Sequence, residues 1–213
     1  KFYERRARRI LPALFMVMFF CLPFAWMLLL PQDMKSFSQS LVAVSAFASN
    51  ILFWITSGYF DQAADFNPLL HTWSLAVEGQ FYLLFPIFLV LIWRFEKKSV
   101  LGFFTIIFLL SFAAAQLGSS LKPMAAFYLF PTRGWELLIG AFVAFYCSKN
   151  SRKPFSKYIK EIGSFVGSAL IAYAVFTFDK LTPFPSFYTL APTIGTALII
   201  LYADQNTMIG KFL

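Results

Sequence analysis

An imidazole, a hydroxyl, a carboxylate and a phenol fall close together in one apolar stretch: His71, Ser74, Glu78 and Tyr82. On a helix, spacings of three, four and four stack such residues along one face. An imidazole held by a carboxylate is the usual device for moving a proton near neutral pH, and His71 is the only histidine in the chain. The plainer alternative has His71 capping the helix and Glu78 bonded to a neighbouring one. A second cluster is Pro131-Thr132-Arg133-Gly134-Trp135-Glu136, in which Arg133 and Glu136 stand three apart and can pair. Anion binding or substrate orientation competes there with a purely structural ion pair. The third is Arg5-Arg6-Ala7-Arg8-Arg9. Guanidinium groups at a membrane face grip phosphate in bidentate fashion, or mark topology and touch lipid headgroups.

The elements that must carry these residues follow from composition. Of 213 residues, 59% are hydrophobic, 20% aromatic with 29 Phe, and only 13% charged; mean hydropathy is +0.69. Soluble domains carry about 25% charged residues, and no soluble fold of this size buries so much apolar surface. Disorder is excluded by the same figures. About seven stretches approach the ~20 apolar residues that cross a bilayer: Ile10–Leu30, Leu41–Phe60, Trp73–Trp93, Val100–Leu117, Arg133–Cys147, Ile162–Phe178 and Tyr188–Ala203. The reading is an all-α polytopic transmembrane helical bundle. The second stretch is unusually polar, with Ser45, Ser49, Asn50 and Thr56.

The net charge of +8 comes from basic residues set between apolar runs, the pattern of the positive-inside rule rather than of nucleic-acid binding. The arginines before Ile10 place that end in the cytoplasm. If every stretch crosses, Arg94–Lys98 and Lys149–Lys160 fall outside; if the second does not cross, both become cytoplasmic. Cys21 and Cys147 have apolar neighbours and read as small buried hydrophobes. No metal-ligand spacing is visible. The chain opens at Lys1 without an initiator Met, which predicts a piece of a longer protein.

Three runs resemble one family. Phe2-Tyr3-Glu4-Arg5-Arg6-Ala7-Arg8-Arg9-Ile10-Leu11-Pro12, His71-Thr72-Trp73-Ser74-Leu75-Ala76-Val77-Glu78 with Gln80-Phe81-Tyr82-Leu83, and Phe127-Tyr128-Leu129 with Pro131 to Gly140 are similar, in order, to motifs of the acyltransferase 3 family of integral-membrane O-acyltransferases. The resemblance covers the whole chain. It implies one membrane acyltransferase domain over 1–213, truncated at both ends from a bundle of about ten spans. It also implies transfer of an acyl group, usually acetyl, from cytoplasmic acyl-CoA to a hydroxyl of a cell-envelope glycan: lipopolysaccharide, peptidoglycan or another polysaccharide. The implied setting is the bacterial cytoplasmic membrane.

Under this resemblance Arg5, Arg6, Arg8 and Arg9 hold the CoA phosphates. His71, Ser74 and Glu78 shape the acyl-transfer cavity, and Tyr82, Arg133 and Glu136 face the substrate. The principal catalytic histidine is expected upstream of residue 1, so the fragment alone is expected to be inactive. One departure stands out: the family has two adjacent acidic residues where this chain has Glu78 followed by Gly79. The rival reading, a transporter or lipid-linked glycan translocator, predicts inverted halves with matching broken helices, and the sequence shows no such symmetry.

Overall fold

The computed structural model describes residues 2–56, 67–92, 97–150, 155–179 and 182–212. Among these every regular element is helical: α1 (Phe2–Leu28), α2 (Pro31–Ser45), α3 (Ser49–Thr56), α4 (Thr72–Ile92), α5 (Lys97–Leu121), α6 (Pro123–Tyr128), α7 (Phe130–Asn150), α8 (Lys157–Thr177), α9 (Leu190–Tyr202) and α10 (Met208–Phe212). Four of them are long and apolar enough to cross a membrane: α1, α4, α5 from Val100, and α8. The chain is a multi-pass membrane protein. Of the other predicted stretches, the fifth forms the 21-residue α7, whose hydropathy Arg133 and Glu136 reduce. The seventh forms a 3-10 turn and a 13-residue helix.

The predicted second span, Leu41–Phe60, is not one helix. It divides into the end of α2 and all of α3, with residues beyond Thr56 outside the described part. The cause is local. Phe47 sits at φ 52° in the left-handed region, its N–H donates to Val44 O at 3.0 Å, and the Ala48 N–H donates to Ala43 O at 2.8 Å. These two bonds make a Schellman stop, normally built on glycine.

The chain forms two compact units, one of Lys1–Leu101 with Tyr128–Phe130 and one of Gly102–Phe127 with Pro131–Leu213. In the first, α1 buries only Leu14, Met18 and Ala25, a narrow stripe that joins Phe37 and Val44 of α2 and Leu69 in one cluster. Pro31 at the first turn of α2 forces Leu30 into extended backbone and so turns the chain back after α1. In the second unit, α5 buries Phe104, Ser111, Ala115 and Ser119, a helical stripe.

Helices α8 and α9 pack through Gly167 and Gly195. A Cβ on either would come within 2.7 Å of the other's carbonyl oxygen. Ser156 caps α8, accepting from Ile159 N. At the same end of the pair, Lys160 Nζ donates to Asp204 Oδ2 at 2.7 Å. That bond, with the Asn206 N–H, holds the Asp204 carboxyl below the usual carboxylate range. The cysteines are both free; Cys21 is half-buried as expected of a packed residue, but Cys147 is exposed on α7, so the burial expected of it is corrected.

Candidate active site

In the first unit, α4 carries most of the predicted chemistry. His71 lies in the turn just before it, not on its face. That turn is built on Asn67, whose Oδ1 accepts from Leu69 N at 3.0 Å and whose Nδ2 donates to Ser40 Oγ of α2 at 2.7 Å. Ser74 Oγ donates to the His71 carbonyl at 3.2 Å. The imidazole itself is exposed, and among the described residues it makes no hydrogen bond. Ser74, Glu78 and Tyr82 do share one face of α4, at successive steps of four. Glu78 is half-buried and has no hydrogen-bond or ion-pair partner among the described residues. His71 and Glu78 are about 10 Å apart in helical rise, so the structure does not join them into a hydrogen-bonded pair.

The arginines divide by face. At 100° per residue, Arg5, Arg9 and Arg6 span an arc of about 100°, while Arg8 falls beside Glu4 and pairs with it at 2.9 Å. Arg5 and Arg9 are exposed and Arg6 is half-buried. The Arg6 guanidinium lies 4.5 Å above the Tyr82 ring, a cation–π contact, and Tyr3 Oη donates to Leu83 O at 3.1 Å. The start of α1 is thereby docked on α4 at Tyr82, and one predicted phosphate ligand meets one predicted substrate contact.

An amide pair that sequence reasoning did not connect lies behind this face. Asn50 is fully buried. Its Oδ1 accepts from Gln80 Nε2 at 2.9 Å, and its Nδ2 donates to Tyr128 O at 3.1 Å. Gln80 Nε2 also donates to Phe47 O at 3.0 Å, and Ser49 Oγ to Thr72 O at 3.0 Å. Trp73 meets Tyr128 edge-on at 5.7 Å. The signal was present: buried amides must find partners, and Asn50 was among the polar residues that marked the second stretch.

Gly79 has a packing reason. The Phe47 ring lies against it so closely that any Cβ there would collide with the ring. This is the position at which the chain departs from the family's second acidic residue.

In the second unit, Arg133 is 6% exposed. Its Nη1 donates to Glu136 Oε1 at 2.9 Å and its Nε to Phe127 O at 3.1 Å. The guanidinium lies against the rings of Phe184 and Phe127, at 4.5 and 5.0 Å, and those rings are themselves 6.2 Å apart. The predicted pair therefore exists, and its arginine is buried and bonded to both Glu136 and the Phe127 carbonyl. Trp135 beside it is fully buried among aromatics, with Phe112 at 4.9 Å and Phe108 at 6.1 Å. Among the described residues no group of His, Cys, Asp and Glu is arranged to hold a metal.

Apolar spanning helices with cations and carboxylates set into their faces define a polytopic membrane domain organised around polar groups. The chain belongs to the acyltransferase 3 family: the acyltransferase domain of that family matches residues 1–212. It is 34% identical over 216 residues to an uncharacterized protein of Haemophilus influenzae, covering 98% of this chain and 88% of that one. YrhL of Bacillus subtilis, provisionally named a peptidoglycan O-acetyltransferase, is 29% identical over 201 residues, covering 86% of this chain and 30% of YrhL. O-acetyltransferase OatA of Staphylococcus aureus is 34% identical over 115 residues, covering 52% of this chain and 18% of OatA. The chain thus spans under a third of the length of these two named relatives. No solved structure matches it.

Proposed function

We propose that this chain is the central part of a bacterial inner-membrane O-acetyltransferase that moves an acetyl group from cytoplasmic acetyl-CoA to a hydroxyl of a cell-envelope glycan. Peptidoglycan is the first acceptor to test, by likeness to YrhL; lipopolysaccharide and other envelope polysaccharides follow. The observation that carries the reading is Arg6 set over Tyr82, with Arg5 and Arg9 exposed on the adjoining arc of α1. A polyanionic donor needs such a cationic face at the cytoplasmic surface, and guanidinium groups serve it in bidentate geometry.

In the reaction, the acceptor hydroxyl oxygen attacks the thioester carbonyl carbon, the carbon–sulfur bond breaks, and the hydroxyl proton passes through a base to the departing thiolate. Acyl transfer of this kind needs a base for the hydroxyl and donors for the developing oxyanion. The principal base is proposed to be a histidine outside these 213 residues. His71, Ser74 and Glu78 shape the cavity around the acyl group, and Arg133 with Glu136 orients the acceptor.

The test uses the full-length protein in membranes. Arg6→Ala with Arg9→Ala is expected to abolish CoA-dependent acetylation of glycan while membrane insertion is unchanged. Arg8→Ala, which removes a residue already paired with Glu4, is expected to cost far less. Undiminished acetylation by the Arg6/Arg9 double variant overturns the donor-site assignment.

A further inference from the structure

Serines in these helices mostly bond back to their own chain. Ser38, Ser40, Ser45 and Ser168 each donate to the carbonyl four residues earlier, the common arrangement for a hydroxyl on a helix. Ser111 does otherwise. It is 8% exposed on α5, its Oγ donates to the Pro131 carbonyl at 2.6 Å, and the same oxygen accepts from Trp135 N at 3.0 Å. Residues 131 and 135 are the carbonyl and amide partners of one α-helical turn. One hydroxyl of α5 therefore engages both partner groups of that turn and ties the start of α7 to α5.

The bridged turn contains Arg133 and leads directly into Glu136. Pairs three apart meet only when the turn between them has the right pitch. Arg133 has little slack elsewhere, since the Phe127 carbonyl and the Phe127 and Phe184 rings hold its guanidinium. We infer that Ser111 is a positioning residue for the Arg133–Glu136 pair, acting through the first turns of α7. The inference rests on the proposed role of that pair in orienting the acceptor. Without the hydroxyl the first turn of α7 loses its tether to α5, which frees Arg133 to shift against its carboxylate.

The experiment is a double-mutant cycle in the full-length enzyme, with acetyl transfer to glycan as readout. Ser111→Ala is expected to lower kcat on the order of tenfold to a hundredfold, as a displaced orienting group does. KM for the acetyl donor should stay unchanged, and Ser111→Thr, which keeps the hydroxyl, should restore most of the loss. Glu136→Gln is expected to lower activity by itself. The double variant should then be scarcely worse than Glu136→Gln alone, because one pathway has been cut twice. Losses that multiply, or a fully active Ser111→Ala, overturn the inference while leaving the role of the pair standing. A fully active Glu136→Gln withdraws the role of the pair, and this inference with it. If Ser111→Ala does not reach the membrane folded, Ser111→Cys, a weaker donor of similar size, takes its place in the same cycle.

Discussion

Phe47 holds a left-handed backbone that costs an L-residue roughly 1–2 kcal/mol outside glycine. Two contacts with α4 offset it: the ring over Gly79 and the carbonyl that accepts from Gln80. Residue 79 consequently has no room for a side chain. Gly79→Ala is expected to destabilise the protein by about 1–3 kcal/mol, the usual range for overpacking, in spite of alanine's better helix propensity. Thermal unfolding in detergent checks it, with Gly140→Ala as the control. Nothing lies within 4 Å of a Cβ at Gly140, so that change should be neutral or stabilising, by up to about 1 kcal/mol. Equal behaviour of the two variants would sink the account of Phe47 as a wedge. With the Phe47 ring against Gly79 there is no room for a carboxylate at residue 79, which leaves Glu78 as the carboxylate of this stretch.

At the scale of elements, α8 and α9 show how helices associate where burial of apolar groups drives little. Small residues let backbones approach, and dispersion then does the work. Gly167→Ala and Gly195→Ala are each expected to cost about 1–3 kcal/mol, because each Cβ meets the other's carbonyl at 2.7 Å. The double variant should cost less than the sum, since one intrusion already separates the helices; unfolding of the three variants in detergent decides it, and strict additivity would mean that the glycines do not share one contact. Most helices were legible from apolar run length, and the Arg133–Glu136 pair from its spacing of three. The break at Phe47 was not, because a left-handed stop normally shows itself as glycine and here a phenylalanine occupies it. The bridge from Ser111 was equally hidden, since nothing in a lone serine tells which helix its hydroxyl will serve. The His71 stripe was half legible: residues 74, 78 and 82 share a face, but the helix begins at Thr72 and leaves His71 to the preceding turn.

For the whole molecule, the orientation left open by the sequence turns on the direction of two helices in the first unit. Tyr3 and Arg6 of α1 meet Leu83 and Tyr82 of α4, while Leu14, Met18 and Ala25 further along α1 cluster with Leu69 and Leu75. The two helices therefore run in opposite directions. If both cross the bilayer, whatever lies between them crosses an even number of times. A single crossing by the second stretch would have made them parallel, and among the described residues that stretch is divided at Phe47 into helices of 15 and 8 residues, neither reaching the ~20 that a crossing needs. Were the arginines of α1 on the cytoplasmic side, as the positive-inside rule prefers, α4 would start outside and end inside, and residues 94–98 are predicted to follow on the cytoplasmic side. Alkaline phosphatase, active only when exported, is expected to be inactive when fused after residue 98 and active when fused after residue 68. Green fluorescent protein at the same two points should give the reverse pattern. An active phosphatase after residue 98 would mean that the second stretch crosses once, and the antiparallel contact of α1 with α4 would then have to be abandoned.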